Sequence, residues 1–307
     1  RLKKAPMLAI WQNGCMTGGA YMIQAVFGIL TGLIFFWAGN NLFYDAGVIL
    51  PLGFGQGPGN ALTWDLNFTS LTHEAGWTGP IFNGEGSFGL TIASIGFIVA
   101  SIVGVIYINI MKHRKELPDR GALVEQRQVA DFEYPDEIED SESVDKTSIQ
   151  VALVIVAYAI SFGIMMFFKY LTVWTGVKLF NDVAWGFNFI WGVIGATILK
   201  ALLRLFKKAK IIKRRYINNY QMDRISGFAF DLMIIAGVAA IDIKVVAEYA
   251  WVIVALSVVG TVVTYAYVRL MSSICFKEYR HEAFLVNFGT VTGTASNGMI
   301  LLREVDP

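Results

Sequence analysis

The 307-residue chain has two cysteines, three histidines and seven prolines, and only 16% of its residues are charged. Cys15 and Cys275 both stand in apolar stretches, which excludes a disulfide framework and a cysteine-rich metal site. Both read as small buried hydrophobes. Neither sign of charge prevails: 25 basic residues against 24 acidic ones leave a formal net charge of +1, so no basic field exists to draw nucleic acid. His73, His113 and His281 fall in loops, no HExxH occurs and no Ser/His pair shares a face, so an enzyme is not expected, nor a bound cofactor or resident metal. What the chain has in quantity is hydrophobicity, 55% of residues with a mean hydropathy of +0.53. That is the composition of a membrane protein.

A spanning helix needs about 20 mostly apolar residues to cross roughly 30 Å of hydrocarbon. Long charge-free gaps separate Lys4 from Asp45, Glu85 from Lys112, Lys146 from Lys169, Glu248 from Arg269 and Glu282 from Arg303. A shorter gap runs from Asp182 to Lys200, and another, from Arg224 to Asp242, is interrupted only by Asp231. These place spans near 9–37, 87–111, 149–168, 184–204, 224–242 and 249–271. Positive charge in short flanking loops stays inside. Arg1, Lys3 and Lys4, then Lys112, Arg114 and Lys115, then the run from Lys200 to Arg215 and Arg224, Arg269, Lys277 and Arg280 all thread to the inside, while Lys169, Lys178 and Lys244 fall outside.

Residues 112–148 interrupt the apolar pattern, with eight acids and no base from Asp131 to Asp145, and read as a solvated cytoplasmic linker. They divide the chain into a first membrane half, 1–111, and a second, 149–307. The basic amphipathic stretch after Lys200 reads first as an anchor at the inner headgroups.

Two glycine-rich segments lie at membrane depth. The first, about 45–65, has the centre GFGQGPGN, in which Gly53, Gly55, Gly57, Pro58 and Gly59 forbid a continuous helix. Both neighbouring spans end outside, so the segment leaves and returns on one side, as a surface loop or a re-entrant hairpin. Its apolar limbs, AGVILPLG and ALTW, favour the hairpin. The second, about 282–307, is flanked from the inside and crowds Gly289, Thr290, Thr292, Gly293, Thr294, Ser296, Asn297 and Gly298 between apolar limbs. Gly289 and Gly293 also fit a GxxxG helix-packing face, a second reading of that run.

Irregular backbone at this depth survives only where it lines protein or a water-filled cavity. The fold expected is therefore an all-α polytopic membrane protein, an inverted-repeat transporter with two re-entrant hairpins entering from opposite faces. Its binding residues would be Gly53, Gly55, Gln56, Gly57, Gly59, Asn60 and Thr63 at one tip and Gly289, Thr290, Thr292, Gly293, Thr294, Ser296 and Asn297 at the other. Half-helix N-termini would face an anion, while carbonyls and hydroxyls would hold a cation such as Na⁺. Asp231, about seven residues past Arg224 and about 10 Å deep at 1.5 Å per residue, is either a coupling carboxylate or a structurally paired one. Asn13 is a weaker polar candidate for coupling, or interhelical glue.

At these residues the chain resembles the sodium/glutamate symporter family. GFGQGPGNALTW from Gly53 to Trp64 looks like that family's first re-entrant motif, a GGHGTGAAW-like run, and WQNG at Trp11 to Gly14 looks like the start of the helix before it. Asp223-RISGFAFDLMIIAG and Lys277-EYRHEAFLVNFGTVTGTASNG are similar to its second repeat. The resemblance implies Na⁺-coupled symport of glutamate or a related organic anion across the plasma (inner) membrane, with a homodimer entertained as the assembly. It also implies about three helices before Arg1 and one after Pro307. Gln56 stands where the family's first tip carries His, and the second tip is rich in Thr and Ser where the family has a Gly-His-Cys-Gly-like run.

Overall fold

A computed structural model describes residues 4–39, 41–74, 76–117, 145–177, 179–186, 188–212, 214 and 216–305. Most of the expected acidic linker, 118–144, lies outside the described residues. The described residues are helical, with no strand among them. In chain order the helices are α1 (Lys4–Trp37), α2 (Ile49–Phe54, entered through a 3-10 turn at Ala46–Val48), α3 (Pro58–Glu74), α4 (Ser87–His113), α5 (Lys146–Thr175) and α6 (Leu179–Gly186). They continue with α7 (Asn188–Lys208), α8 (Asn219–Ala239), α9 (Ile243–Glu248), α10 (Ala250–Cys275), α11 (Arg280–Thr292) and α12 (Ala295–Arg303).

Among the described residues, four helical stretches are long and apolar enough to cross a membrane: Met7–Trp37, Ser87–His113, Lys146–Thr175 and Ala250–Cys275. The other two expected spans do form helices, α7 and α8, but neither meets that standard. Lys200, Arg204, Lys207 and Lys208 make the second half of α7 cationic, and Asp223, Arg224 and Asp231 interrupt α8. The long helices carry large apolar side chains on their open faces. On α10, Trp251, Val254, Val258 and Val262 are exposed at spacings of three and four, one continuous stripe. A stripe of this kind suits contact with lipid, where apolar exposure costs nothing.

The chain forms two compact units, Arg1–Glu125 with Phe230–Pro307, and Gln126–Ala229. In the first unit the glycine-rich segments are both helix–break–helix elements. α2 stops at Gly55, whose N–H closes on the carbonyl of Pro51 (2.9 Å), and α3 starts at Pro58. Between them Gly57 has φ +85°, a left-handed conformation that an L side chain adopts only with strain. α11 ends at Thr292, and α12 restarts after Thr294, whose backbone is extended.

The first segment is not a surface loop, since every residue from Ile49 to Gly55 is buried. Leu50 and Phe54 join a core with Phe68, Phe82, Phe88 and Tyr249, in which the Phe82 ring lies 5.4 Å from Phe88 and 5.9 Å from Tyr249. The second segment rests on its own core of Tyr107, Phe284, Phe288 and Leu301, with the Tyr107 and Phe284 rings 4.2 Å apart. Such side chains, normally left to face lipid, are here spent on short helices that could not stand alone.

Buried polar groups pin the ends of these elements. Asp65 is fully buried on α3, and its carboxylate accepts the N–H groups of Gly86 (3.0 Å) and Gly89 (2.6 Å). It thereby caps the first turn of α4 from a neighbouring helix, where Gly86 has no side chain to do so. At the other end of α4, Tyr107 lies 2.7 Å from His281 Nδ1, and Arg280 bridges to Glu116 at 2.9 Å. His281 is therefore not a loop residue: it is buried in the first turn of α11, because its ring ties that turn to α4. His73 and His113 are exposed at the ends of α3 and α4. The cysteines also depart from expectation: Cys15 is exposed, and Cys275 is half-buried at the edge of a small core of Met16, Phe276 and Ala283.

In the second unit α5 packs on α7 and is capped by Asp145, which accepts from Ser148 N–H (3.2 Å). Buried Gln150 on α5 fixes the chain ahead of α8 by donating to the Tyr216 carbonyl (2.7 Å) and accepting from Asn218 N–H (3.2 Å).

Candidate functional site

The two breaks approach each other. A Cβ built on Gly57 would lie 3.6 Å from Thr294 Cγ2, ordinary contact distance. α4 passes beneath this junction at Gly96. A side chain there would run into the Thr292 carbonyl oxygen and stand 3.4 Å from the Phe54 ring, so glycine lets the ends of α2 and α11 settle on the α4 backbone. Within the second segment Gly289 and Gly298 pack backbone to backbone: a Cβ on Gly289 would be 2.7 Å from Gly298 Cα. The Gly289 and Gly293 pair is thus not the packing face of one continuous helix. Gly289 allows α12 to fold back along α11, while Gly293 sits in the break.

Each break leaves loose backbone groups that must find partners. One face of α1 supplies some of them. Tyr21 donates its hydroxyl to the Gly55 carbonyl (3.0 Å) at the first break. One turn on, the fully buried Gln24 donates from Nε2 to the Val291 carbonyl (2.9 Å) near the end of α11 and to Thr264 Oγ1 (2.8 Å) on α10. Thr17, one turn before Tyr21, lies 3.5 Å from Asn287 Oδ1 on α11. A single stripe of α1 therefore touches both broken helices.

The hydroxyls of the second tip differ from one another. Thr290 donates to the Val286 carbonyl (2.7 Å) and Thr292 to that of Phe288 (2.5 Å), the usual way a buried hydroxyl is satisfied inside a helix. Thr294 Oγ1 is buried and has no partner, and it makes no capping bond to α12 although it stands at the N-cap. Gln24 Oε1 and Ser257 Oγ are likewise buried without partners. Ser257, Gly260 and Thr264 share one face of α10, and Gly260 abuts Leu50 and Phe54 of α2. Buried unpaired oxygens are rare and costly, which marks this neighbourhood as one that a ligand could complete.

The remaining sequence candidates fall at varying distances from the junction. Gly53 is buried against Ile92 and Ala93 of α4. Gln56 is exposed and accepts from Asn60 Nδ2 (3.1 Å), and Thr63 donates to the Gly59 carbonyl (2.9 Å). Gly59 is exposed, with Met233 Sδ 3.7 Å from where its Cβ would be, while Ser296 and Asn297 are half-buried in the first turn of α12. Asp231 and Asn13 are both exposed, Asp231 on α8 and Asn13 on α1.

Sequence reasoning missed Tyr21, Gln24, Thr264 and Asp65. A glutamine in the middle of an apolar 34-residue helix is a visible signal, but its partners lie 240 and 267 positions away. Comparison with known proteins finds no significant match to any family model, curated protein or solved structure.

Proposed function

We propose that the protein is a secondary active transporter, a sodium-coupled symporter of glutamate or a related organic anion that works by alternating access. The observation that carries this reading is the approach of the two helix breaks, Gly57 towards Thr294 and the ends of α2 and α11 both onto Gly96, beside buried oxygens without partners. α3 and α12 both begin at this junction, so the positive ends of two helix dipoles and their free N–H groups are available to an anionic substrate. α2 and α11 both end there, offering carbonyl oxygens, and Thr294 Oγ1 and Gln24 Oε1 add neutral oxygens suited to Na⁺. Repeated helix–break–helix elements, each following a long apolar helix, are what an inverted-repeat carrier with two re-entrant hairpins requires. On this reading cation coupling rests with Gln24 and Thr294 more than with the exposed Asp231 and Asn13.

The test is uptake of radiolabelled glutamate into proteoliposomes holding the protein, first with an imposed Na⁺ gradient and then with a proton gradient. Na⁺-driven accumulation supports the reading. Accumulation driven by protons alone rejects sodium coupling, and no accumulation of glutamate or of competing organic anions under either gradient rejects the carrier.

A further inference from the structure

The second unit contains a cavity of about 480 Å³ that the carrier mechanism does not use, lined by Lys200, Arg204, Lys207, Arg214, Tyr216 and Asn219 with Leu203, Ile212 and Ile217. Lys200, Arg204 and Lys207 stand at i, i+4 and i+7, one face of α7, and Arg214 reaches the cavity from the segment that follows. Among the described residues that line it, four are cations and none is a carboxylate.

The cavity is also built. Its wall at Tyr216 to Asn219 is held by the buried Gln150 carboxamide through the Tyr216 carbonyl and the Asn218 N–H, both bonds lying within this unit. Asn218 caps α8 by accepting from Gln221 N–H (3.0 Å), so the positive end of a 21-residue helix opens beside Asn219. The N-terminal half of α7, with Ile190, Val193, Ile194 and Ile198, is apolar and the C-terminal half cationic, which puts the cavity where hydrocarbon gives way to headgroups.

We propose that this cavity is a binding site for the phosphate group of an anionic phospholipid, with Lys200, Arg204, Lys207 and Arg214 holding the phosphate and Leu203, Ile212 and Ile217 flanking the first carbons of the acyl chains. Guanidinium groups match phosphate oxygens in pairs, and ammonium groups add point charges around them. Basic pockets between membrane helices recognise lipid headgroups by this chemistry.

The test uses the purified protein, delipidated in a neutral detergent. Its thermal unfolding midpoint is measured with added dioleoyl-phosphatidylglycerol, with dioleoyl-phosphatidylcholine and with inorganic phosphate alone. The glycerol lipid should raise the midpoint and the choline lipid should not. The shift should be lost in the Lys200→Gln/Arg204→Gln double variant and kept in Lys169→Gln, which removes an exposed cation of α5 outside the cavity. A shift with inorganic phosphate that the double variant abolishes supports phosphate recognition and identifies free phosphate as the source. If the double variant does not fold, native mass spectrometry of Lys200→Gln and Arg204→Gln singly should show reduced retention of phosphatidylglycerol. Equal shifts with both lipids and none with phosphate, or undiminished selectivity in the variants, would overturn the proposal.

Discussion

Replacing Thr294 with valine separates what the second tip needs for stability from what it needs for function. Valine has nearly the shape of threonine, and the backbone at position 294, φ −142° and ψ 169°, is extended and suits a β-branched residue. The hydroxyl makes no hydrogen bond and no capping bond, so the substitution removes no interaction from the unliganded protein. It does remove a buried oxygen whose lost hydration costs about 1–3 kcal/mol. Thr294→Val should therefore raise stability by about that amount, measured by reversible unfolding in detergent without sodium or substrate. The same variant should lose most Na⁺-dependent uptake, because the oxygen that completes the site is gone. A stabilising change that removes activity is the mark of a group kept for function. A loss of stability of about 1 kcal/mol or more would show that the hydroxyl is satisfied after all. Undiminished uptake would remove it from the site.

Gly57→Val should cost about 1–2 kcal/mol per molecule, because φ +85° is strained for any L residue, and should abolish uptake while folded protein is still recovered from the membrane; normal uptake would take the first tip out of the site. Asp65→Asn keeps one acceptor but loses the charge that holds Gly86 and Gly89, so unfolding should become easier by about 1.5–3 kcal/mol, with faster hydrogen exchange confined at first to the start of α4; unchanged exchange there would refute the capping role. Burial, with the positive charges of Arg280 and Arg269 behind it, lowers the pKa of His281 below its ordinary value of 6.5, against the opposing pull of Glu116 and Glu282. The folded protein thus binds this proton less readily than the unfolded chain, so the contribution is fully present above pH 6.5 and is lost as pH falls below it towards the folded pKa. His281→Gln should flatten that acid limb in a series of unfolding midpoints, and an unaltered limb would assign it to other groups.

Much of this architecture was legible from local pattern. The gaps between charged residues placed α1, α4, α5 and α10 to within a turn or two, because the absence of charge over about 20 residues is a requirement of the bilayer and not of any particular partner. The run GFGQGPGN announced a break, since Gly57 and Pro58 cannot continue the α2 helix whatever surrounds them. In the second segment the crowding of small and hydroxyl residues from Gly289 to Gly298 marked the region, but the place where the helix stops, between Thr292 and Ala295, was not legible. The expected spans at 184–204 and 224–242 formed helices of weaker apolar character, where charges that read as flanking residues lie within the helix itself.

Local pattern was silent on partnership. The sequence by itself determined that the chain is helical and apolar enough for a membrane, and that the glycine-rich run at 53–60 interrupts its helices, because those properties depend on residue type and near spacing alone. Only the tertiary structure decided that the two breaks approach each other over Gly96, that Tyr21 and Gln24 serve one break each, and that Asp65 caps a helix 21 residues onward. It also decided that Asp231 faces outward and His281 inward. Each of those depends on which surfaces of distant helices meet, and hydrogen bonds act over about 3 Å, a precision that no periodicity in the chain specifies.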